Sequence, residues 1–129
     1  MVTMTRQGAR GFTLIELMVV MAIIGTLLAI VAPRYFGSVE QARETALKQD
    51  LAVMREAIGQ FHGDLNRYPD NLNELVAKRY LKRIPVDPIT ERSDTWLAVA
   101  HPDSNIPGLY DVLSGAEGVS RDGTPYQAW

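Results

Sequence analysis

Gly11-Phe12-Thr13-Leu14-Ile15-Glu16, followed without a break by the apolar run Leu17 to Ala32, decides the fold. From Phe12 to Ala32 there are 21 residues and one charge, Glu16. At about 1.5 Å of rise per residue this is roughly 30 Å of helix, the thickness of a bilayer core. Arg6 and Arg10 precede the run, and no basic residue follows until Arg34. That asymmetry predicts a cytoplasmic N-terminus, with everything after Pro33 on the far side of the membrane.

A carboxylate in such a helix costs roughly 2.5–3.5 kcal/mol at mid-bilayer, and less near the end where Glu16 lies. One reading lets Glu16 reach the headgroups and do nothing else. The sharper one starts from a cut between Gly11 and Phe12. Phe12 then carries a new α-amine one turn from Glu16, and an ammonium is the natural partner for a carboxylate in apolar surroundings. A negative side chain in the first turn also suits the helix dipole. Removal of the whole run as a secretory signal fits poorly, because Ala29 and Ala32 are not spaced as A-x-A and Glu16 interrupts the apolar core. An uncleaved signal anchor is supported by hydropathy alone.

Beyond Pro33 the helical pattern resumes. Leu47, Leu51, Met54, Ile58, Phe61 and Leu65 recur at spacings of three and four, an apolar stripe. The opposite face carries Glu40, Arg43, Glu44, Lys48, Asp50, Arg55 and Glu56. One helix is therefore expected from Phe12 to about residue 62, apolar all round in its first half and amphipathic in its second, with Gly63 as the stop. Pro33 marks a kink where the helix leaves the bilayer. Asp70 is placed to cap a short helix over residues 71–79. Ile84-Pro85-Val86-Asp87-Pro88 has two prolines three apart and predicts an extended passage. Thr95 to Ala100 and Leu109 to Leu113 read as two antiparallel strands joined by a turn-rich loop. The fold class is α+β: a long N-terminal helix, membrane half plus amphipathic half, packed on a small antiparallel sheet. Three segments follow: 1–11 a leader, 12–35 a hydrophobic helix and 36–129 a globular domain.

The chain has 13 basic and 15 acidic residues; without Arg6 and Arg10 it keeps 11 against 15. No basic patch points to nucleic acid. There is no cysteine, so no disulfide holds the exported part. Nothing marks an enzyme. His62 and His101 lack neighbours at metal-ligand spacing, and Ser114 is outside any Gly-x-Ser-x-Gly elbow.

Gly11-Phe12-Thr13-Leu14-Ile15-Glu16, with its basic leader and apolar run, resembles the N-terminal signal of type IV pilins and type II secretion pseudopilins. Asn66-Arg67-Tyr68-Pro69 and Tyr80-Leu81-Lys82-Arg83-Ile84-Pro85-Val86-Asp87-Pro88 are similar to segments of the major pseudopilin. The resemblance implies cleavage after Gly11 and N-methylation of Phe12 by a prepilin peptidase. It implies that Glu16 pairs with the Phe12 amine of a neighbouring copy during assembly. It also implies that the stretch from Gly25 to Pro33 loses helicity in the filament. The expected role is a structural subunit, waiting in the bacterial inner membrane with its C-terminal domain in the periplasm. From there it polymerises with itself and with minor pseudopilins, driven by an inner-membrane platform and its ATPase, into a pseudopilus that exports folded proteins. A type IV pilus subunit for adhesion or twitching is the alternative.

After Asp87-Pro88 the likeness weakens: Ile89-Thr90-Glu91-Arg92-Ser93-Asp94 stands where the family often has Trp-Gly and a Pro-aromatic pair. The glycine-rich tail from Ser114 to Gly123 resembles the calcium loop of major pseudopilins. That resemblance implies Glu117 and Asp122 as side-chain ligands and Leu113, Ser114 and Val119 as carbonyl donors for Ca²⁺, which takes six to eight oxygens. Glu117 departs from the usual aspartate. Composition alone favours a solvated turn with scattered acids. Tyr126 and Trp129 are expected as packing anchors.

Overall fold

The computed structural model describes residues 11–129. Arg6 and Arg10, with the rest of the leader before Gly11, lie outside the described residues. Helix α1 is Leu14–Leu65, α2 is Leu72–Ala77, strand β1 is Leu97–Ala100 and β2 is Leu109–Leu113; a 3₁₀ turn follows at Tyr126–Ala128. The chain divides after Ser38 into two compact units, the second being Val39–Trp129.

Helix α1 opens with a reciprocal cap. The Glu16 amide donates to Thr13 Oγ1, and the Thr13 amide donates to Glu16 Oε2, both at 3.2 Å. Two of the amides that a helix start leaves unpaired are thereby satisfied. In the apolar stretch the Thr26 hydroxyl donates to the Ala22 carbonyl at 2.8 Å, so it leaves no free polar group. Leu14 to Val31 is long and apolar enough for a membrane span, and its large side chains are all exposed. The helix is unbroken at Gly25 and passes through Pro33, so neither residue ends it in the single chain. Pro33 removes one amide and crowds the carbonyl four residues back, a local weakness rather than a stop.

The helix ends later than Gly63, and for a different reason. Asn66 takes the left-handed conformation, φ +56, and its amide donates to the His62 carbonyl at 2.8 Å. This is the αL closure, which asparagine tolerates better than other side chains; Gly63 permits such a turn but the helix passes through it. Leu65, in the last turn, is accordingly 42% exposed and outside the core, and Ala57 is buried with the rest of the stripe instead. The cap of α2 is also one residue on from Asp70. The extended residue Asn71 accepts the Glu74 amide at 3.0 Å, while Glu74 Oε2 reaches back to the Asp70 amide at 2.6 Å. The helix is six residues long, shorter than the 71–79 expected, because Arg79 turns left-handed at φ +66.

An exposed arginine held left-handed carries about 1–2 kcal/mol of strain. Glycine would remove it and return about 0.5–1 kcal/mol as extra freedom of the unfolded chain. Arg79→Gly is therefore expected to raise the melting temperature by roughly 2–4 °C, measured by circular dichroism.

Leu47, Leu51, Met54, Ala57, Ile58 and Phe61 of α1 pack with Leu75, Leu81, Leu109, Val112, Ala116 and Tyr126 in one core. Strand β2 contributes Leu109 and Val112, which are three apart and would face opposite ways in a regular strand. The register explains it. Ala100 pairs with Leu109 and Val99 with Asp111, so Tyr110 is an extra residue, and this bulge changes the phase of the strand. Tyr110 turns instead to His101, at 4.7 Å, and Tyr68, at 5.5 Å between ring centroids. Gly108, at φ +109, sits where a Cβ would press on the Pro69 carbonyl and on Tyr68; the next amide, Leu109, donates to that carbonyl at 2.6 Å.

Candidate functional site

The N-terminal residues come first. Gly11, Phe12 and Thr13 precede the helix without regular structure, and Phe12 is 87% exposed. The Gly11–Phe12 peptide thus lies outside the helix. The sequence predicts a helix from Phe12, but it begins at Leu14, so Phe12 lies two residues before it while Glu16 is in its first turn. What the sequence reading missed is Thr13. Thr-x-x-Glu is a capping-box pattern, so the signal was present. Glu16 serves its own helix through one hydrogen bond on Oε2. A carboxylate has about four acceptor positions, and the remaining ones are open to a cation.

The second region is the loop that follows β2. Leu113 ends the strand. Ser114 is fully buried, and its hydroxyl donates to Asp87 Oδ2 at 2.6 Å while accepting the Ala116 amide at 3.1 Å. Its side chain is therefore committed within the fold, leaving its carbonyl as the group to consider for a cation. Glu117 and Val119 are exposed. Asp122 accepts the Ser120 hydroxyl and, at 3.0 Å, the Thr124 amide. These donors, the Ser120 hydroxyl first, hold the Asp122 carboxyl down to about 2 against an ordinary 3.8. What this group adds to stability is fully present above pH 3.8 and is lost as pH falls through about 2.

Among the described residues no three His, Cys, Asp or Glu side chains gather as a metal cluster. A cation at this loop would rely on two carboxylates and on backbone carbonyls. By donor chemistry an all-oxygen set of that kind is one that calcium takes and a soft metal does not.

The loop is tied to the polar face of α1, which sequence patterning assigns to solvent. Glu44 Oε1 accepts the Arg121 amide at 2.9 Å and the Tyr126 hydroxyl at 3.1 Å. Arg55 donates to Asp111 at 2.9 Å, to the Val112 carbonyl at 3.0 Å and to the Trp129 carbonyl at 2.6 Å. Lys48 stands 4.7 Å over the Trp129 ring, and Tyr126 is buried. Half-exposed Asp50 is held above its ordinary 3.8, by burial first and then by the Asp87 carboxylate. Its folded state favours the proton, so its contribution is full below 3.8 and is lost as pH rises through the raised value. Asp50→Asn should accordingly raise the melting temperature at pH 7, the gain vanishing below pH 3.8. Melting curves across that range check it.

An exposed apolar half-helix behind a Gly-Phe junction, joined in sequence to an α+β head with a two-stranded sheet, defines a pilin-like protein. Residues 6–32 match the prokaryotic N-terminal methylation motif. The chain is 33% identical to a type II secretion system core protein G of Klebsiella michiganensis over 101 residues, 66% of this chain and 71% of that protein. It is 37% identical to the one of Pseudomonas aeruginosa over the same shares. Similarity to a type IV major pilin of Myxococcus xanthus, 41% over 66 residues, covers 51% of this chain and 30% of that pilin. No solved structure matches the chain. The chain belongs to the type II secretion system core protein G family.

Proposed function

We propose that this protein is the structural subunit of a type II secretion pseudopilus. A prepilin peptidase removes residues 1–11 and methylates the Phe12 amine, and the mature chain is held in the inner membrane by its apolar half-helix with the remainder in the periplasm. Copies then join a helical filament with minor pseudopilins, on a platform driven by an ATPase, and its growth moves folded proteins outward. The observation that carries this reading is the exposed apolar face of Leu14 to Val31 behind a Gly-Phe junction. Moving that surface from lipid into a bundle of copies keeps it out of water, so assembly gains little apolar burial and register must come from polar contacts. Head-to-tail contacts that do not close into a ring make a filament. On assembly the Gly25–Pro33 stretch is where helicity is lost first, since Pro33 already lacks one hydrogen bond.

In this reading Ca²⁺ is held by Glu117 and Asp122 with the carbonyls of Leu113, Ser114 and Val119. The ion would fix a cysteine-free loop that is otherwise tethered through Glu44 and Asp87.

Deleting the gene tests the function: exported enzymes should accumulate in the periplasm. Loss of long surface fibres with normal secretion would favour a type IV pilin instead. Intact mass of the purified protein should show residues 1–11 gone and one methyl gained; a chain that still carries them overturns the maturation step.

A further inference from the structure

Asp87 is fully buried and, among the described residues, is the one charged side chain in the core. Its Oδ1 accepts the amides of Ile89, at 2.8 Å, and Thr90, at 3.3 Å, and its Oδ2 accepts the Ser114 hydroxyl. Its own amide and carbonyl close the turn, donating to the Arg92 carbonyl at 2.9 Å and accepting the Glu91 amide at 2.7 Å. Among the described residues no basic side chain forms an ion pair with it. A carboxylate buried on neutral donors alone is costly, and it is tolerated because three donors satisfy it. One oxygen caps the turn at Ile89 and Thr90; the other reaches a distant loop. Asp87 grips Ser114, and Ser114 grips the Ala116 amide, so the first turn after β2 is locked from the inside. The same turn is pressed at Gly115 against the Thr95 carbonyl, and Thr95 is bonded to Thr90 through their hydroxyls at 2.7 Å.

We infer that Asp87 is a positioning residue for the cation loop: through Ser114 it sets the backbone from Leu113 to Ala116 before a divalent cation arrives. The inference rests on the calcium reading above. Groups that orient ligands without touching the metal typically change affinity by about 10–100-fold when removed. A preset backbone saves the ordering that binding would otherwise require.

The full-length protein in detergent, titrated with CaCl₂ by calorimetry, provides the test. Asp87→Asn and Ser114→Ala should each weaken calcium binding about 10–100-fold while the protein still melts cooperatively in EDTA. Ile58→Val, which thins the helix core, is the control for lost stability and should leave affinity unchanged. If Asp87→Asn does not fold, Ser114→Ala carries the test. Wild-type affinity in Ser114→Ala, or an equal loss in Ile58→Val, overturns the positioning role. Absence of calcium binding by the unaltered protein overturns the calcium reading itself.

Discussion

Replacing Gly115 with alanine is expected to destabilise the Val39–Trp129 unit severely. A Cβ at this position falls inside the van der Waals envelope of the Thr95 carbonyl oxygen. Overpacking usually costs about 1–3 kcal/mol because side chains rotate aside. A backbone carbonyl cannot. On one side of the contact the Asp87–Ser114–Ala116 hydrogen bonds hold the turn, and on the other the Thr90–Thr95 pair holds the partner strand entry. The strain has nowhere to go except into parting the two segments, which would leave the buried Asp87 carboxylate short of a donor. We expect a loss beyond about 3 kcal/mol, seen as a melting temperature more than about 10 °C lower or as no transition at all. Gly115→Ala protein that melts like the parent would show that the two segments are not held together as described.

The second large effect is on assembly. Glu16→Ala should stop pseudopilus formation and trap the exported proteins in the periplasm. Alanine removes two things together, however: the cap on Thr13 and the negative charge. Glu16→Gln separates them. Glutamine completes a capping box as well as glutamate does, yet it has no charge for an ammonium. If the pairing with a neighbouring Phe12 amine governs assembly, Glu16→Gln fails nearly as badly as Glu16→Ala. Thr13→Ala, which loses only a cap worth about 1 kcal/mol, should then retain most secretion. The reverse order, with Glu16→Gln active and Thr13→Ala inactive, would make the helix cap the decisive contact and remove the ion pair from the account. Secretion assays on the three variants, with immunoblots confirming equal amounts of protein, decide between them.

The sequence by itself determined the elements whose cause is local. The apolar run with one acid reads as a helix long enough for a membrane span, and the spacing of Leu47, Leu51, Met54, Ile58 and Phe61 marked the buried face of the amphipathic half. Turn residues between two β-rich runs placed β1 and β2. The N-terminal methylation motif over residues 6–32 was legible because it depends on a few adjacent residues and the apolar run behind them.

Tertiary structure alone decided the rest. Glu44, Lys48 and Arg55 have the pattern of a solvated helix face, and only the return of residues 111–129 across that face turns them into anchors. Asp87 has the pattern of an exposed residue between prolines. It is buried because Ser114, 27 positions away, supplies the donor that makes burial tolerable. Periodicity records what a residue prefers within its own element; which distant group satisfies it depends on how the chain folds back, and no spacing in the sequence encodes that.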